Sequence, residues 1–394
     1  MNYVDPSTGA TYALDTARWC ADTGHYLNLG PSPGLRRSQI NTGCYSVWRY
    51  ASALLVDIAD AITMGEGWTP LLEREWDGAR VACKLDFLMP TGSFKDRGMT
   101  VMVSYLKSRG IEYVIEDSSG NAGASLSAYA AAARMRCRIL VPESASYPKI
   151  AQIAACGADV LTVRGSRQDT ADAAQRYSKR IFYASHNWQP LFLEGAKTLA
   201  YELWEQLGFR APDNVVVPLG HGSNVLGCER GFSELRRNGE IAAMPRLFGV
   251  QAANCAPYFT SYQAGVAHLV PTEVTPTLAE GIASARPTRV TEVLTAVRQS
   301  GGAVVAVSED DIVVALGSLA RRGIFVEPTS AAAAAGLSQL LRSGAISADQ
   351  TTVLVLTGSG LKASERIGQL LGYEEKSMNP TCPASPGVAL SALR

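Results

Sequence analysis

The sequence has no surplus of either charge. Lys and Arg together number 36, and so do Asp and Glu. A nucleic acid or an anionic membrane calls for a basic surface, so neither is expected as a partner. There is no run of about 18 apolar residues, so no membrane span is expected. The opening stretch, Met1-Asn2-Tyr3-Val4-Asp5-Pro6, is polar and reads as no secretory signal. Eight cysteines are scattered along the chain, at 20, 44, 83, 137, 156, 228, 255 and 382, none at C-x-x-C spacing. Such spacing implies neither a metal site nor a disulfide framework, and it fits a cytoplasmic location. No internal repeat is found. These absences leave a chain of 394 residues, long enough for two domains with a core each and suited to small-molecule work.

What is present is an alternation of strands and helices. Residues 1–45 are polar and turn-rich, Tyr50–Ile62 reads as a helix, and Ala79–Leu85 as a strand. Between Lys95 and Asn187 the pattern repeats in βα units: strands at 113–116, 137–142, 159–163 and 181–184, helices at 100–109, 122–134, 147–156 and 169–180. Repeating βα units imply mostly parallel sheets with helices on both faces. Further on, Glu194–Leu207 reads as one amphipathic helix. Strands are expected at 214–219, 247–251, 303–307 and 352–356, and helices at 310–321, capped by Ser308, and at 331–341. The stretch 374–394 is rich in Pro and Ser and reads as a flexible tail.

The chain is organised around Leu88-Met89-Pro90-Thr91-Gly92-Ser93-Phe94-Lys95-Asp96-Arg97-Gly98-Met99. Lys95 falls at the start of a helix, where the helix dipole, the neighbouring Arg97 and partial burial all disfavour a positive charge. A lysine with a lowered pKa is a usable nucleophile toward carbonyls. Taken alone, Lys95-Asp96 is equally an exposed helix-start pair. A second element is Val215-Val216-Val217-Pro218-Leu219 followed by Gly220-His221-Gly222-Ser223-Asn224 and a helix. Small residues before a helix N-terminus let main-chain N–H groups converge on a phosphate. By itself that is also a common tight turn. Ser118-Ser119-Gly120-Asn121 opens another helix after a strand, where an N-cap cluster and a carboxylate site look alike.

Ser93-Phe94-Lys95-Asp96-Arg97-Gly98 resembles the cofactor-lysine motif of the threonine synthase-like pyridoxal 5'-phosphate (PLP) enzymes, the fold type II or tryptophan synthase β-like family. Four more stretches match in order: Ser118–Asn121, Leu193-Glu194-Gly195-Ala196-Lys197-Thr198, Glu327-Pro328-Thr329-Ser330-Ala331 and Leu356-Thr357-Gly358-Ser359-Gly360-Leu361-Lys362. The resemblance covers residues 60–370. It implies an α/β fold of two domains, each a mostly parallel sheet flanked by helices. Residues 1–94 and 187–373 would form the large PLP-binding domain, and 95–186 a smaller inserted one. It further implies that Lys95 carries PLP as a Schiff base and then acts as acid and base at Cα. Gly220, His221, Gly222, Ser223 and Asn224 would hold the cofactor phosphate, Asn121 would meet the ring hydroxyl, and Thr357 the ring nitrogen. Ser118, Ser119 and Gly120 would hold the substrate carboxylate. A homodimer acting on a small amino acid is expected. The role of Glu327, beside the cofactor, stays open.

The reaction implied is a β- or γ-elimination or replacement, with O-phosphohomoserine to threonine as the first named conversion. A threonine or serine ammonia-lyase, a β-replacement synthase such as cysteate synthase, and a PLP-binding regulator without turnover are the alternatives. Two departures bear on this choice. Ser-Ser-Gly-Asn is closer to the ammonia-lyases. Phe192 stands where threonine synthases carry the arginine that binds the substrate phosphate. If phosphate is bound, Lys149, Arg164 or Arg286 would have to replace that arginine.

Overall fold

The computed structural model describes residues 1–372 except residue 119, residues 144–146 and residue 166. The tail at 374–394 and Ser119 therefore lie outside the described residues. The chain opens with an antiparallel ribbon of β1 (Tyr3–Val4), β2 (Thr11–Tyr12) and β3 (Asn28–Leu29), with β1 in the middle. A hairpin follows, β4 (Leu71–Trp76) and β5 (Ala79–Lys84). Its two-residue turn is Asp77-Gly78, with φ of 48° and 81°. Positive φ at both central residues matches the twist of the flanking strands, which is why Asp-Gly suits this turn. Sequence reading found β5 but passed over β4, although Asp-Gly was its signal.

Next come α1 (Lys95–Ser108), β6 (Tyr113–Glu116), α2 (Asn121–Ala132), β7 (Arg136–Pro142), α3 (Tyr147–Ala155), β8 (Asp159–Val163), α4 (Arg167–Tyr177) and β9 (Phe182–Tyr183). Their strands form a parallel sheet in the order β8-β7-β6-β9. The remainder runs α5 (Pro190–Ala196), α6 (Thr198–Gln206), β10 (Asn214–Pro218), α7 (Ser223–Arg237), β11 (Arg246–Ala252), α8 (Pro257–Gln263), α9 (Val290–Gln299), β12 (Val304–Val307), α10 (Glu309–Arg321), α11 (Pro328–Arg342), β13 (Thr352–Val355) and α12 (Ser364–Leu370). A six-stranded sheet in the order β12-β11-β10-β13-β5-β4 is parallel except for the β4 edge. The central strands Asn-Val-Val-Val-Pro and Thr-Val-Leu-Val are buried along their whole length, as expected where helices cover both faces of a sheet. Helix α11 carries Ala331–Ala335, all buried, and this small-residue run brings it close to the sheet. A Cβ on Gly336 would lie 2.3 Å from Val250.

Two sequence expectations need correction. Tyr50–Ile62 is not one helix but two 3-10 turns, Val47–Ala53 and Ile58–Asp60. Tertiary bonds override the helical pattern there. Trp48 Nε1 donates to Thr100 Oγ1 at 3.0 Å, Tyr50 donates to Glu205 at 2.9 Å, and the Arg49 guanidinium gathers the carbonyls of Asn41, Thr42 and Cys44. Residues 194–207 are likewise not one helix. Helix α5 starts at Pro190, which suits a first helical turn, and gives way to α6 at Lys197. Gly195 lies so close to α1 that a Cβ there would come 1.9 Å from the Arg97 carbonyl oxygen.

Candidate active site

The loops after β6, β10 and β13 open into one cleft of about 880 Å³. In open parallel sheets the carboxyl ends of the strands are where ligands are bound. Lys95 enters this cleft from the first turn of α1. The segment before it is stitched to the end of β13: the Phe94 N–H donates to the Thr357 carbonyl at 2.9 Å, and the Ser359 N–H to the Gly92 carbonyl at 2.9 Å. Gly92, at φ 78°, makes the turn that this stitching requires. The lysine motif and the Thr357 motif are 262 residues apart in sequence and adjacent in space.

Burial lowers the Lys95 pKa to about 8, with the carboxylates of Glu116 and Glu327 opposing the shift. The ammonium lies 4.7 Å from the centroid of the Phe94 ring and 5.6 Å from that of Phe192. Arg97 does not crowd it, contrary to expectation. The Arg97 guanidinium is fully buried and held by two carboxylates, Asp86 at 2.8 Å and Glu202 at 2.8 Å. It thus anchors α1 rather than repelling the lysine. Asp96 accepts from the Thr91 N–H at 2.8 Å and from Ser125 at 2.6 Å, and burial pushes its carboxyl up to about 6.

Ser118, Gly120 and Asn121 line the same cleft. Gly123 lets the first turn of α2 fold onto the Ser118 carbonyl, where a Cβ would come within 1.9 Å. The Asn121 amide donates to Glu327 Oε1 at 2.9 Å. Glu327 in turn fits only because Gly358 has no side chain, since a Cβ there would sit 2.1 Å from Oε1. Gly220, His221, Gly222, Ser223 and Asn224 also line the cleft. Gly222 takes φ 86° as the N-cap of α7, and α7 directs its first-turn N–H groups toward the cleft without intrahelical acceptors. Thr357 is buried, and its hydroxyl pairs with Ser330 at 3.2 Å.

Sequence reasoning missed two residues, Glu116 and His186. His186 lines the cleft, and its Nδ1 is hydrogen-bonded to Glu116. Its signal was slight: one of only four histidines, just before the Leu-Glu-Gly-Ala-Lys-Thr stretch. Of the cations expected to replace the missing arginine, the two whose side chains are described do not line the cleft. Arg164 is 94% exposed in its side chain and pairs with Glu143, Arg286 is exposed, and the Lys149 side chain is outside the described residues. Phe192 is fully buried behind Lys95.

These residues fit a phosphorylated pyridine cofactor. The glycine loop packs too closely for side chains, since a Cβ on Gly220 would meet the Gly281 carbonyl at 3.1 Å and one on Gly222 would meet Val293 at 2.3 Å, so it presents main chain to the cleft. The Asn224 side-chain oxygen is buried and has no hydrogen-bond partner among the described residues. Its amide is therefore open to a bound group, through its NH₂ once turned.

A lysine and a glycine-rich loop that meet at the carboxyl ends of parallel strands form the anion- and carbonyl-binding site of an α/β enzyme. A family model described as pyridoxal-phosphate dependent enzyme matches residues 62–358, and the chain belongs to that family. The threonine synthase of Methanocaldococcus jannaschii is 38% identical over 373 residues, covering 90% of this chain and 91% of that one. The threonine synthase of Methanosarcina acetivorans is 35% identical over 337 residues, covering 84% and 83%. The solved structure of processed threonine deaminase isoform 2 from Solanum lycopersicum matches with a TM-score of 0.67 at 21% identity, over 89% of this chain and 98% of that one. The chain is a PLP-dependent lyase of threonine synthase-like type. Among the described residues, no helix is long and apolar enough to cross a membrane.

Proposed function

We propose that the chain eliminates or replaces an oxygen-bearing group at Cβ or Cγ of an amino acid. The observation that carries this reading is the meeting of Lys95, the Gly220–Asn224 loop and Thr357 in one cleft. PLP, once bound, supplies an electron sink for charge developing at Cα. Lys95 holds the cofactor covalently and later moves the proton at Cα. Its pKa of about 8 suits both tasks near neutral pH. The Gly222, Ser223 and Asn224 N–H groups hold the phosphate. Ser118 and the first turn of α2 hold the substrate carboxylate. Asn121, fixed by Glu327, orients the ring. Thr357 is a neutral partner for the ring nitrogen and does not keep it protonated. This tempers the electron sink and favours elimination and replacement over amino transfer.

The relatives make O-phosphohomoserine to threonine the first conversion to try. A second reading, ammonia-lyase elimination from threonine or serine, is supported by buried Phe192 standing in place of a cation. We take residues 95–186 as a small domain set into a larger one, because all strands of the four-stranded sheet fall within it. We also take the chain to work as a cytoplasmic homodimer. A panel of amino acids and their O-phospho and O-acyl derivatives, read by product mass, tests the function. Loss or exchange of a β- or γ-substituent is expected. A yellow protein that converts none of them would be a cofactor-binding module, and the reading would fall.

A further inference from the structure

A histidine that lines the cleft with Lys95 has no part in the chemistry described so far. His186 follows β9 and is 7% exposed. Glu116, at the end of β6, is fully buried. One carboxylate oxygen of Glu116 takes both a bond from His186 Nδ1 and the His186 main-chain N–H, the latter at 3.2 Å. With Glu116 ionised its oxygen only accepts, so Nδ1 donates to it and Nε2 is the nitrogen that gains or loses a proton. The imidazole meets the Phe192 ring edge-on at 5.6 Å, and Lys95 Nζ lies 5.6 Å from the centroid of that same ring. On its other side the imidazole meets His221 at 5.8 Å, and His221 pairs with Ser284 at 3.2 Å. Lysine and histidine thus flank one aromatic ring in one cleft.

We propose that His186, oriented by Glu116, handles the proton on the oxygen that leaves or joins the substrate β-carbon, while Lys95 handles the proton on Cα. The inference rests on the elimination or replacement reading above. In the elimination sense the Cα–H pair becomes the Cα–Cβ π bond. The Cβ–O bond breaks with its electron pair on oxygen, and that oxygen takes the Nε2 proton of the imidazolium form of His186 and departs as water, leaving a neutral ring with its hydrogen on Nδ1. In the addition sense Nε2 removes one proton from water as its oxygen bonds to Cβ. Hydroxide is a poor leaving group and needs this proton, whereas chloride does not. One mechanism serves both conversions under consideration, because threonine is the product of one and the substrate of the other.

The test compares the holoenzyme with its His186→Gln and His186→Asn variants on L-threonine and on β-chloro-L-alanine, with solvent deuterium entering Cα followed by mass. Removing an acid–base group should lower threonine dehydration about 100-fold or more, while chloride release and Cα exchange stay within about threefold. Unchanged visible absorbance reports that fold and cofactor are intact. Equal losses on both probes, or a parallel loss of Cα exchange, make His186 structural and overturn the proposal, as does undiminished threonine dehydration. If the unaltered enzyme releases chloride but neither dehydrates threonine nor exchanges its β-oxygen with labelled water, the proposal falls and the elimination reading stands. If it acts on neither probe, the proposal falls, and the elimination or replacement reading is decided by the O-phospho and O-acyl panel. Apart from turnover, nitrogen NMR of the cofactor-free chain should show the neutral His186 ring with its hydrogen on Nδ1, and a neutral ring with its hydrogen on Nε2 alone overturns the proposal.

Discussion

Phe192 closes against the main chain of Gly98: a Cβ at Gly98 would come within 2.4 Å of the phenyl ring. Gly98 lies one turn into α1, and Phe192 lies in α5. Through this contact α5 supports the helix that starts at Lys95. Phe192 is therefore a support behind the lysine and not part of the cleft wall.

Gly98→Ala should disturb both stability and the lysine. Overpacking a filled contact costs about 1–3 kcal/mol, and any shift of α1 carries Lys95 with it. Thermal unfolding and visible absorbance of the reconstituted protein read the two effects. Adding Phe192→Leu should restore much of both. An unchanged Tm for Gly98→Ala alone would show that the helices have slack.

The lowered pKa of Lys95 gives a pH signature. Only the neutral amine attacks a carbonyl, so PLP attachment to the apo chain should speed up as pH rises and level off above about 8. Below that point the rate should fall about tenfold per pH unit. A lysine at its ordinary 10.5 would keep gaining rate well beyond 8. Stopped-flow absorbance checks this, with Lys95→Ala as control. A rate still climbing at high pH, or a reducible adduct that persists without Lys95, would move the attachment to another amine. Lys362, which lines the cleft, would be the first to examine.

Ser223→Asp separates folding from cofactor binding. Residue 223 is the first of α7, where a carboxylate stabilises the helix by about 0.3–1 kcal/mol. The same carboxylate would occupy the phosphate cradle, and like charges in contact cost several kcal/mol. PLP affinity should fall about 100-fold, while the apo chain unfolds at an equal or higher temperature. Unchanged affinity by fluorescence titration would remove the loop from the cofactor site.

Much of this site was legible because the lysine, the glycine loop and Thr357 each follow or precede a strand with a strong apolar run. Glu116 and His186 were not, since a strand-end carboxylate and a lone histidine carry no spacing signal, and only β9 beside β6 brings them together. Glu327 was noticed without a role, because its partner Asn121 is 206 residues away. The false helix at Tyr50–Ile62 has the same origin. Its periodicity was real, but the partners of Trp48 and Tyr50, Thr100 and Glu205, lie far along the chain. Local pattern cannot report such bonds.

The charge of the leaving group is the last point the cleft decides. A phosphate dianion taken out of water needs a cation or several N–H donors. At position 192 the chain offers a buried phenyl ring instead. Besides Lys95, the Lys and Arg side chains lining the cleft among the described residues are Lys362 and Arg366. Lys362 donates to the Thr91 carbonyl at 2.8 Å, and Arg366 pairs with Glu280 at 3.0 Å, both of the latter side chains being 47% exposed. Neither is a desolvated, dedicated phosphate ligand, and exposed pairs hold charge weakly. O-phosphohomoserine should therefore be a poor substrate, with a KM at least about tenfold above that of a preferred uncharged amino acid, a gap worth about 1.4 kcal/mol. Phe192→Arg alone should not improve it, since the guanidinium would have to fit between Gly98 and a second cation, Lys95. Steady-state kinetics on both substrates decide the matter. If kcat/KM for O-phosphohomoserine matches or exceeds that for L-threonine, the expectation is wrong and the phosphate is held at the cleft mouth. Lys362→Met and Arg366→Met would then identify the cation, because the one that binds phosphate should raise KM for the phosphorylated substrate and leave the uncharged one unchanged.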